Sequence, residues 1–330
     1  VSAAAPDIFI VLSAFNGSAY LAAQIESLRA QSLVEWQLLV ADDHSSDHSR
    51  EIIAGFAQRD ERICLMEPAG ARLGPVESYS SLLAAARDRG AQYVFCADQD
   101  DVWEPGKLEA VMGHLTALEG AERDPALVHH DLRVVDEQLA VLADSLWGLM
   151  ALKPHTETEP TRLLSRNEVT GCALACNRAL LDLALPIPEQ AIMHDWWLAL
   201  HAAFLGRLRP LEDALVRYRQ HGGNAIGAKS YRAGLNPLAN WRRTWKRGND
   251  EFLATTAQAG AFYEVISGLQ EVDPELMASV RTYADIATMG SWARLRVLGS
   301  TGVWRKKWLL DAKIGHDAHR RQHYQLRGSR

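Results

Sequence analysis

Short apolar runs and amphipathic stretches alternate along the first hundred residues. Asp7–Ser13, Trp36–Ala41, Arg62–Met66 and Tyr93–Ala97 are brief and rich in apolar, largely β-branched or aromatic residues, the pattern of strands covered on both faces. Between them, Gly17–Gln31 places Leu21, Ile25 and Leu28 at helical spacing, and Arg50–Gln58 and Val76–Arg89 also predict helices. Gly70 and Gly74-Pro75 mark the loop before the third helix. This β-α-β-α-β-α-β order predicts an α/β, Rossmann-like, mostly parallel sheet flanked by helices. Ligands of such sheets sit beyond the carboxyl ends of the strands. Three polar clusters fall there: Ser13–Gly17, Asp42–Asp47 and Asp98–Asp101.

The rhythm then changes. Lys107 opens a further helix, and Ala126–Asp131 predicts a strand ending in His129-His130-Asp131. The alternating stretch Thr170–Cys176 suits another strand. Pro186 and Pro188 punctuate a loop, and a helix is predicted from Asp195 through Phe204, preceded by Met193-His194. Arg217–Asn224 closes this region, and from Lys229 the chain reads as helical and rich in Trp and Arg. One domain over 1–228, divided near residue 125 into two halves and followed by a helical extension over 229–330, is the expected organisation.

Charge and cysteine content narrow the classes. With 330 residues, 48% hydrophobic and 23% charged, the chain is of ordinary globular composition. A net charge of −6 gives no reason to expect nucleic acid as a partner. That average conceals a basic tail: residues 291–330 hold ten Arg/Lys against Asp311 and Asp317. Cys64, Cys96, Cys172 and Cys176 lie in strand-like runs without zinc spacing, which suits buried free thiols in a reducing compartment. No apolar run of about 18 residues predicts a spanning helix, and Val1–Pro6 lacks the basic and apolar regions of a signal peptide. A cytoplasmic location is expected. Neither GxGxxG after the first strand nor GxxxxGK[ST] occurs, which disfavours dinucleotide and P-loop enzymes.

Asp98-Gln99-Asp100-Asp101, directly after the apolar Tyr93–Ala97, carries the most chemistry. Carboxylates crowded at the end of a buried strand repel one another and lose hydration. A hard divalent ion, Mg²⁺ or Mn²⁺, bridging carboxylate to phosphate resolves that conflict. A helix cap beside a solvated acidic turn is the alternative.

Taken together, Ser13-Ala14-Phe15-Asn16-Gly17, Asp42-Asp43 with Ser45-Ser46-Asp47, and Asp98–Asp101 resemble the family 2 inverting glycosyltransferases of GT-A fold. Cys96–Trp103, His194-Asp195-Trp196-Trp197 and Tyr218–Asn224 resemble its rhamnosyltransferase-like branch, which uses dTDP-L-rhamnose. The resemblance spans about residues 7–227. It implies that Phe15 and Asn16 line the base and ribose pocket, that Asp43 accepts from the pyrimidine N3–H, and that Asp98 lies near ribose or metal. It further implies Asp100 as metal ligand, His221 as a second metal or diphosphate contact, and Asp195 as general base. Arg72 is a candidate for the diphosphate, and Trp196 or Trp197 for an apolar wall against the sugar or acceptor.

Plainer roles stand beside these. Asp195 suits a helix cap, His221 a bond within its own loop, Asp42 a brace for its loop, and His129 and His130 the core. In the tail, Trp241–Arg247 and Val303–Leu310 interleave Trp with basic residues. That pattern suits docking on anionic lipid at the inner face of the cytoplasmic membrane, a helical cap, or a homodimer surface. The expected activity is transfer of a sugar, L-rhamnose first, from a dTDP- or UDP-activated donor to a surface polysaccharide, lipopolysaccharide or lipid-linked glycan. A sugar nucleotidyltransferase and a non-catalytic binding scaffold are the alternatives.

Overall fold

The computed structural model describes residues 7–67, 70–152, 154, 159–221, 241–269 and 272–289, with backbone alone for 241–249. The chain divides into two compact units. One comprises Val1–Thr158, Glu168–Glu189 and Met193–Ile226; the other comprises Glu159–Asn167, Gln190–Ile192 and Gly227–Arg330. The expected boundary at 228/229, the side chains of Trp241–Arg247 and the segment Val303–Leu310 lie outside the described residues.

The first unit is built on one sheet. Strands β1 (Ile8–Ala14), β2 (Trp36–Asp42), β3 (Ile63–Leu65) and β4 (Tyr93–Ala97) are parallel neighbours in the order β3-β2-β1-β4. Helices α1 (Leu21–Arg29), α2 (Ser49–Ala57) and α3 (Pro75–Asp88) connect them, so all four strands end at one edge. Ile10, Val11 and Leu12 are fully buried, which is why β1 shows no polar alternation. Burying each such side chain stabilises the fold by roughly 1.5–3 kcal/mol.

Beyond β4 the expected parallel order gives way to a mixed sheet. It continues through β8 (Leu174–Asn177), β6 (Ala126–Val135), β9 (Arg207–Arg219) and β5 (Val102–Trp103), with β7 (Val141–Ala143) paired on β6. Strand β8 runs antiparallel to both β4 and β6, whereas β6 and β9 are parallel. The expected strand over Thr170–Cys176 is corrected: Gly171–Ala173 forms a 3-10 turn and the strand begins at Leu174. Gly171 is required there, since a Cβ would stand 2.9 Å from His194 Nε2. Helices α4 (Lys107–Glu119), α5 (Leu146–Met150), α6 (Arg178–Ala184) and α7 (His194–Leu205) complete this unit.

The second unit centres on α8 (Trp241–Ser267) and α9 (Pro274–Asp285). Phe252, Thr255, Ala259, Phe262 and Ile266 recur at helical spacing and are buried, as are Val280 and Tyr283. Thr255 Oγ1 and Tyr283 Oη are 3.0 Å apart. The internal segment Gln190–Ile192 belongs here because Ile192 N donates to Gln258 Oε1 at 2.8 Å. Among the described residues, no helix is long and apolar enough to cross a membrane.

Candidate functional site

The carboxyl ends of β1, β2 and β4 are adjacent, and the loops leaving them are tied to one another. Asn16 adopts φ 49°, a left-handed conformation that Asn tolerates. Its Oδ1 accepts from Ser46 N at 2.8 Å, and its N–H donates to Ser45 Oγ at 2.9 Å. Gly17 N donates to Ser49 Oγ at 2.9 Å and Ser18 N to Asp47 Oδ2 at 3.0 Å. Burial works against the Asp47 charge, but hydrogen bonds from Ser49 and Ser18 prevail and hold its carboxyl at about 2. The Asp47 anion thus fastens the first loop to the second.

A pocket of about 150 Å³ opens at the end of β2, lined by Asp42, Asp43, Met66, Leu73, Ser78 and Leu82 among others. Asp43 accepts from Leu73 N at 2.7 Å and Gly74 N at 2.9 Å, so it holds the 72–74 loop. Asp42 accepts from Ser45 N at 3.2 Å through Oδ2, the bracing bond expected of it, while its Oδ1 is buried without a hydrogen-bond partner. The Arg72 guanidinium lies 3.5 Å from the Phe15 ring centroid and 3.6 Å from Asp43 Oδ2. Arg72 is therefore placed beside Phe15 and Asp43.

The acidic turn after β4 is gripped by distant segments. Tyr79 Oη lies 3.0 Å from Asp98 Oδ1 and 2.7 Å from Ala97 O. The Gln99 side-chain amide pairs with the backbone of Phe15. Asp100 Oδ2 meets His221 Nε2 at 2.7 Å, while Asp100 O accepts from Arg219 Nε at 2.8 Å. Asp101, fully buried, accepts from Arg219 N at 3.0 Å through Oδ1. Its Oδ2 is buried with no hydrogen-bond partner.

Burial, reinforced by the Asp100 charge, pushes the Asp98 carboxyl up to about 6 and raises Asp101 well above the ordinary range. Ligand atoms of Asp98, Asp101 and Cys172 lie within 4.8 Å of one another. Behind them, Lys107 is fully buried, with Nζ 2.7 Å from Cys172 O and 3.4 Å from the Trp103 ring centroid. Burial draws its ammonium down to about 7.

Crowded carboxylates, raised in pKa and with one oxygen lacking a donor, fit a hard divalent cation. The oxygen without a donor is Asp101 Oδ2, grouped with Asp98, so these two carboxylates could hold such an ion, while Asp100 and His221, the expected metal contacts, meet each other beside them. Burial keeps the Cys172 thiol protonated, which makes it a poor ligand for such an ion.

Asp195 lies in the first turn of α7 and is 8% exposed. It does not cap the helix, a position held by Met193; its Oδ1 accepts from Trp196 N at 2.5 Å. Preceding it, His194 stacks on Tyr79 with centroids 3.8 Å apart, and Tyr79 in turn touches Asp98. A Cβ at Gly171 would lie 3.6 Å from Asp195 Oδ2. The α7 turn and the acidic turn therefore meet through Tyr79 and the 171–173 segment. Both tryptophans are buried, and Trp197 is a core residue whose Nε1 donates to Ala184 O at 2.8 Å. His129 and His130 also lie in the core, His129 edge-on to Trp147 at 5.5 Å.

Sequence reasoning did not single out Tyr79, Gln99, Asp101, Lys107 or Arg219 as individual site residues. Asp101 carried a signal as part of the acidic run; the other four act through contacts between distant segments.

Residues 9–136 match the family model described as Glycosyl transferase family 2. A glycosyltransferase of Nostoc sp., alr2836, described as uncharacterized, is 25% identical over 236 residues, covering 66% of each chain. The chain spans only 40% and 38% of the lengths of two further curated relatives. S. aureus TarS 1-349, solved with UDP-GlcNAc, shares the fold with a TM-score of 0.56 at 14% identity, over 98% of this chain and 92% of that one. The mannosyltransferase PcManGT of Pyrobaculum calidifontis, solved with GDP-Man and Mn²⁺, gives 0.55 at 14% identity, over 99% and 89%. The architecture is a GT-A-like mixed α/β fold with a helical C-terminal part. Residues 9–136 are thus similar to a family 2 glycosyltransferase domain.

Proposed function

We propose that the chain is a metal-dependent inverting glycosyltransferase acting on a nucleotide-activated sugar. The observation that carries this reading is the meeting, at one sheet edge, of the Asp42–Asp43 pocket, the Asp100–His221 pair and the α7 turn bearing Asp195. The base enters the pocket and offers its N3–H to Asp43, with Asp42, which braces its own loop, beside it. Phe15 and Asn16 lie beside the base and ribose, and Arg72 closes over Phe15.

Asp195 removes the proton of an acceptor hydroxyl as its oxygen bonds to the anomeric carbon and the bond to the diphosphate breaks. The transition state has oxocarbenium character, as in glycoside hydrolysis. Mg²⁺ or Mn²⁺ held by Asp98, Asp100 and His221 would neutralise the charge gathering on the diphosphate. Trp196 is the apolar wall candidate beside the base.

The donor reading is a pyrimidine nucleotide sugar, dTDP-L-rhamnose first and a UDP-hexose second, from the resemblance of Cys96–Trp103, His194–Trp197 and Tyr218–Asn224. The acceptor reading is a surface or lipid-linked glycan. Residues 1–228 form the catalytic domain in this proposal. The 229–330 extension is read as serving a cytoplasmic, membrane-peripheral location, with a helical cap or a dimer surface as the other outcomes.

Thermal shift with nucleoside diphosphates and sugar nucleotides, each with Mn²⁺, Mg²⁺ or chelator, tests the reading. Ligand at a hundredfold excess over Kd stabilises by about 2.7 kcal/mol. Metal-dependent stabilisation by dTDP and dTDP-rhamnose is expected. Preference for UDP-sugars removes the rhamnose assignment, and no response to any pyrimidine diphosphate removes the site assignment.

A further inference from the structure

We infer that Gln99 is a positioning residue whose amide locks the nucleotide-side loop to the metal-bearing turn, so that metal and nucleotide bind as one event. This rests on the proposed function. Gln99 Oε1 accepts from Phe15 N at 2.8 Å, and Nε2 donates to Phe15 O at 3.1 Å. Both amide functions are thus spent on one residue's backbone, a pairing like that of neighbouring strands, joining segments 84 positions apart.

The lock has a matching keyhole. A Cβ at Gly17 would stand 2.3 Å from Gln99 Oε1 and 2.5 Å from its Cδ. Only glycine at 17 leaves the Gln99 side chain its place. From Phe15 the linkage runs on: its ring carries Arg72 at 3.5 Å, Arg72 reaches Asp43 at 3.6 Å, and Asp43 holds the backbone of Leu73 and Gly74. Gln99 is also flanked by Asp98 and Asp100. Movement of the acidic turn toward a cation is therefore relayed through Phe15 and Arg72 to Asp43 and Leu73 in the pocket wall. Glutamate is a poor replacement, because it has no donor for Phe15 O and adds a charge to an already acidic turn.

The test is titration of dTDP and UDP, with Mn²⁺ and with EDTA, on the wild-type chain, Gln99→Ala, Gly17→Ala and the double variant. Affinity in EDTA should stay within about twofold, while the gain brought by Mn²⁺ falls about tenfold in each single variant. The double variant should be no worse than either single one, since both break the same contact. Gln99→Met, close in volume, repeats the test should the alanine variant fail to fold.

An unchanged Mn²⁺ gain in folded variants overturns the inference, as does an equal loss with and without metal. Additive defects in the double variant overturn it too. A wild-type chain whose pyrimidine diphosphate affinity ignores metal takes down the functional reading and this inference together.

Discussion

The acidic turn and the α7 turn meet at one sheet edge, yet they are held by different forces. Each residue of Asp98–Asp101 is engaged by a distant segment: Tyr79, the Phe15 backbone, His221 and Arg219. The start of α7 rests mainly on packing, with Trp196, Trp197, Leu198 and Leu200 buried and His194 laid flat on Tyr79. Networks of polar bonds in a low-dielectric site transmit a change in one member to the rest. Packed apolar faces confine it. Substitution of a carboxylate in the acidic turn should therefore disturb metal-dependent nucleotide binding and fold together, whereas substitution at Asp195 should fall mainly on turnover.

The largest expected effect sharpens this contrast. Asp195→Asn keeps the volume and the acceptor for Trp196 N but cannot take a proton. Turnover should fall about 10²–10⁴-fold, the range of general base catalysis, with nucleotide Kd within about twofold. Rate and binding measured on the same preparation decide it. Normal turnover removes Asp195 as the base, and lost nucleotide binding removes the supposed independence of the two turns.

Lys107 probes the other side. Its ammonium is fully buried against Cys172 O and Trp103, with the charges of Asp101 and Asp98 favouring its protonated form. Lys107→Met fills the same space but leaves Cys172 O without its donor. A buried acceptor left unpaired costs about 1–3 kcal/mol, read by urea unfolding. The Mn²⁺ gain in nucleotide affinity should fall with it. A loss below about 0.5 kcal/mol, the level of an ordinary surface change, would mean that the acidic turn does not depend on this lysine.

How much of this was legible follows from the same contrast. Strands β1, β2 and β4 are buried on both faces, so their apolar runs were plain, and the clusters Ser13–Gly17, Asp42–Asp47 and Asp98–Asp101 stood out directly after them. Strand β9 was not legible. Arg207–Arg219 mixes charges and Pro210 into a half-buried strand, and its pairing with β6 shifts register at Asp131. Strand β5 is two residues long and exists because β9 reaches it. Gln99, Lys107 and Arg219 were illegible for a related reason. Their bonds run to backbone atoms 84, 65 and 119 positions away, and no local spacing encodes such a distance. The family resemblance named Asp100 and His221, 121 apart, as separate contacts, and the bond between them is what the structure adds.

The smallest effect concerns His194, where packing alone operates. Both ring nitrogens are buried without hydrogen-bond partners, and burial draws its pKa down to about 3. An unfolded histidine titrates near 6.5. Between these values the unfolded chain binds a proton that the folded chain refuses, so stability falls as pH drops from about 6.5 toward 3. The slope is about 1.4 kcal/mol per unit. Asp98, pushed up to about 6, acts with the opposite sign between about 4 and 6. His194→Phe keeps Tyr79 and its bond to Asp98, so the Asp98 contribution is carried by both chains and the difference profile reads His194. His194→Phe keeps a ring on Tyr79 and removes the titration. Any steric cost beside Gly171 would lower its stability equally at every pH, leaving the slope intact. From pH 7 to pH 5 the variant should therefore gain about 2 kcal/mol on the wild type by urea unfolding. Parallel profiles would show that the ring finds a proton acceptor in solution, and α7 would then be anchored by polar bonds much as the acidic turn is.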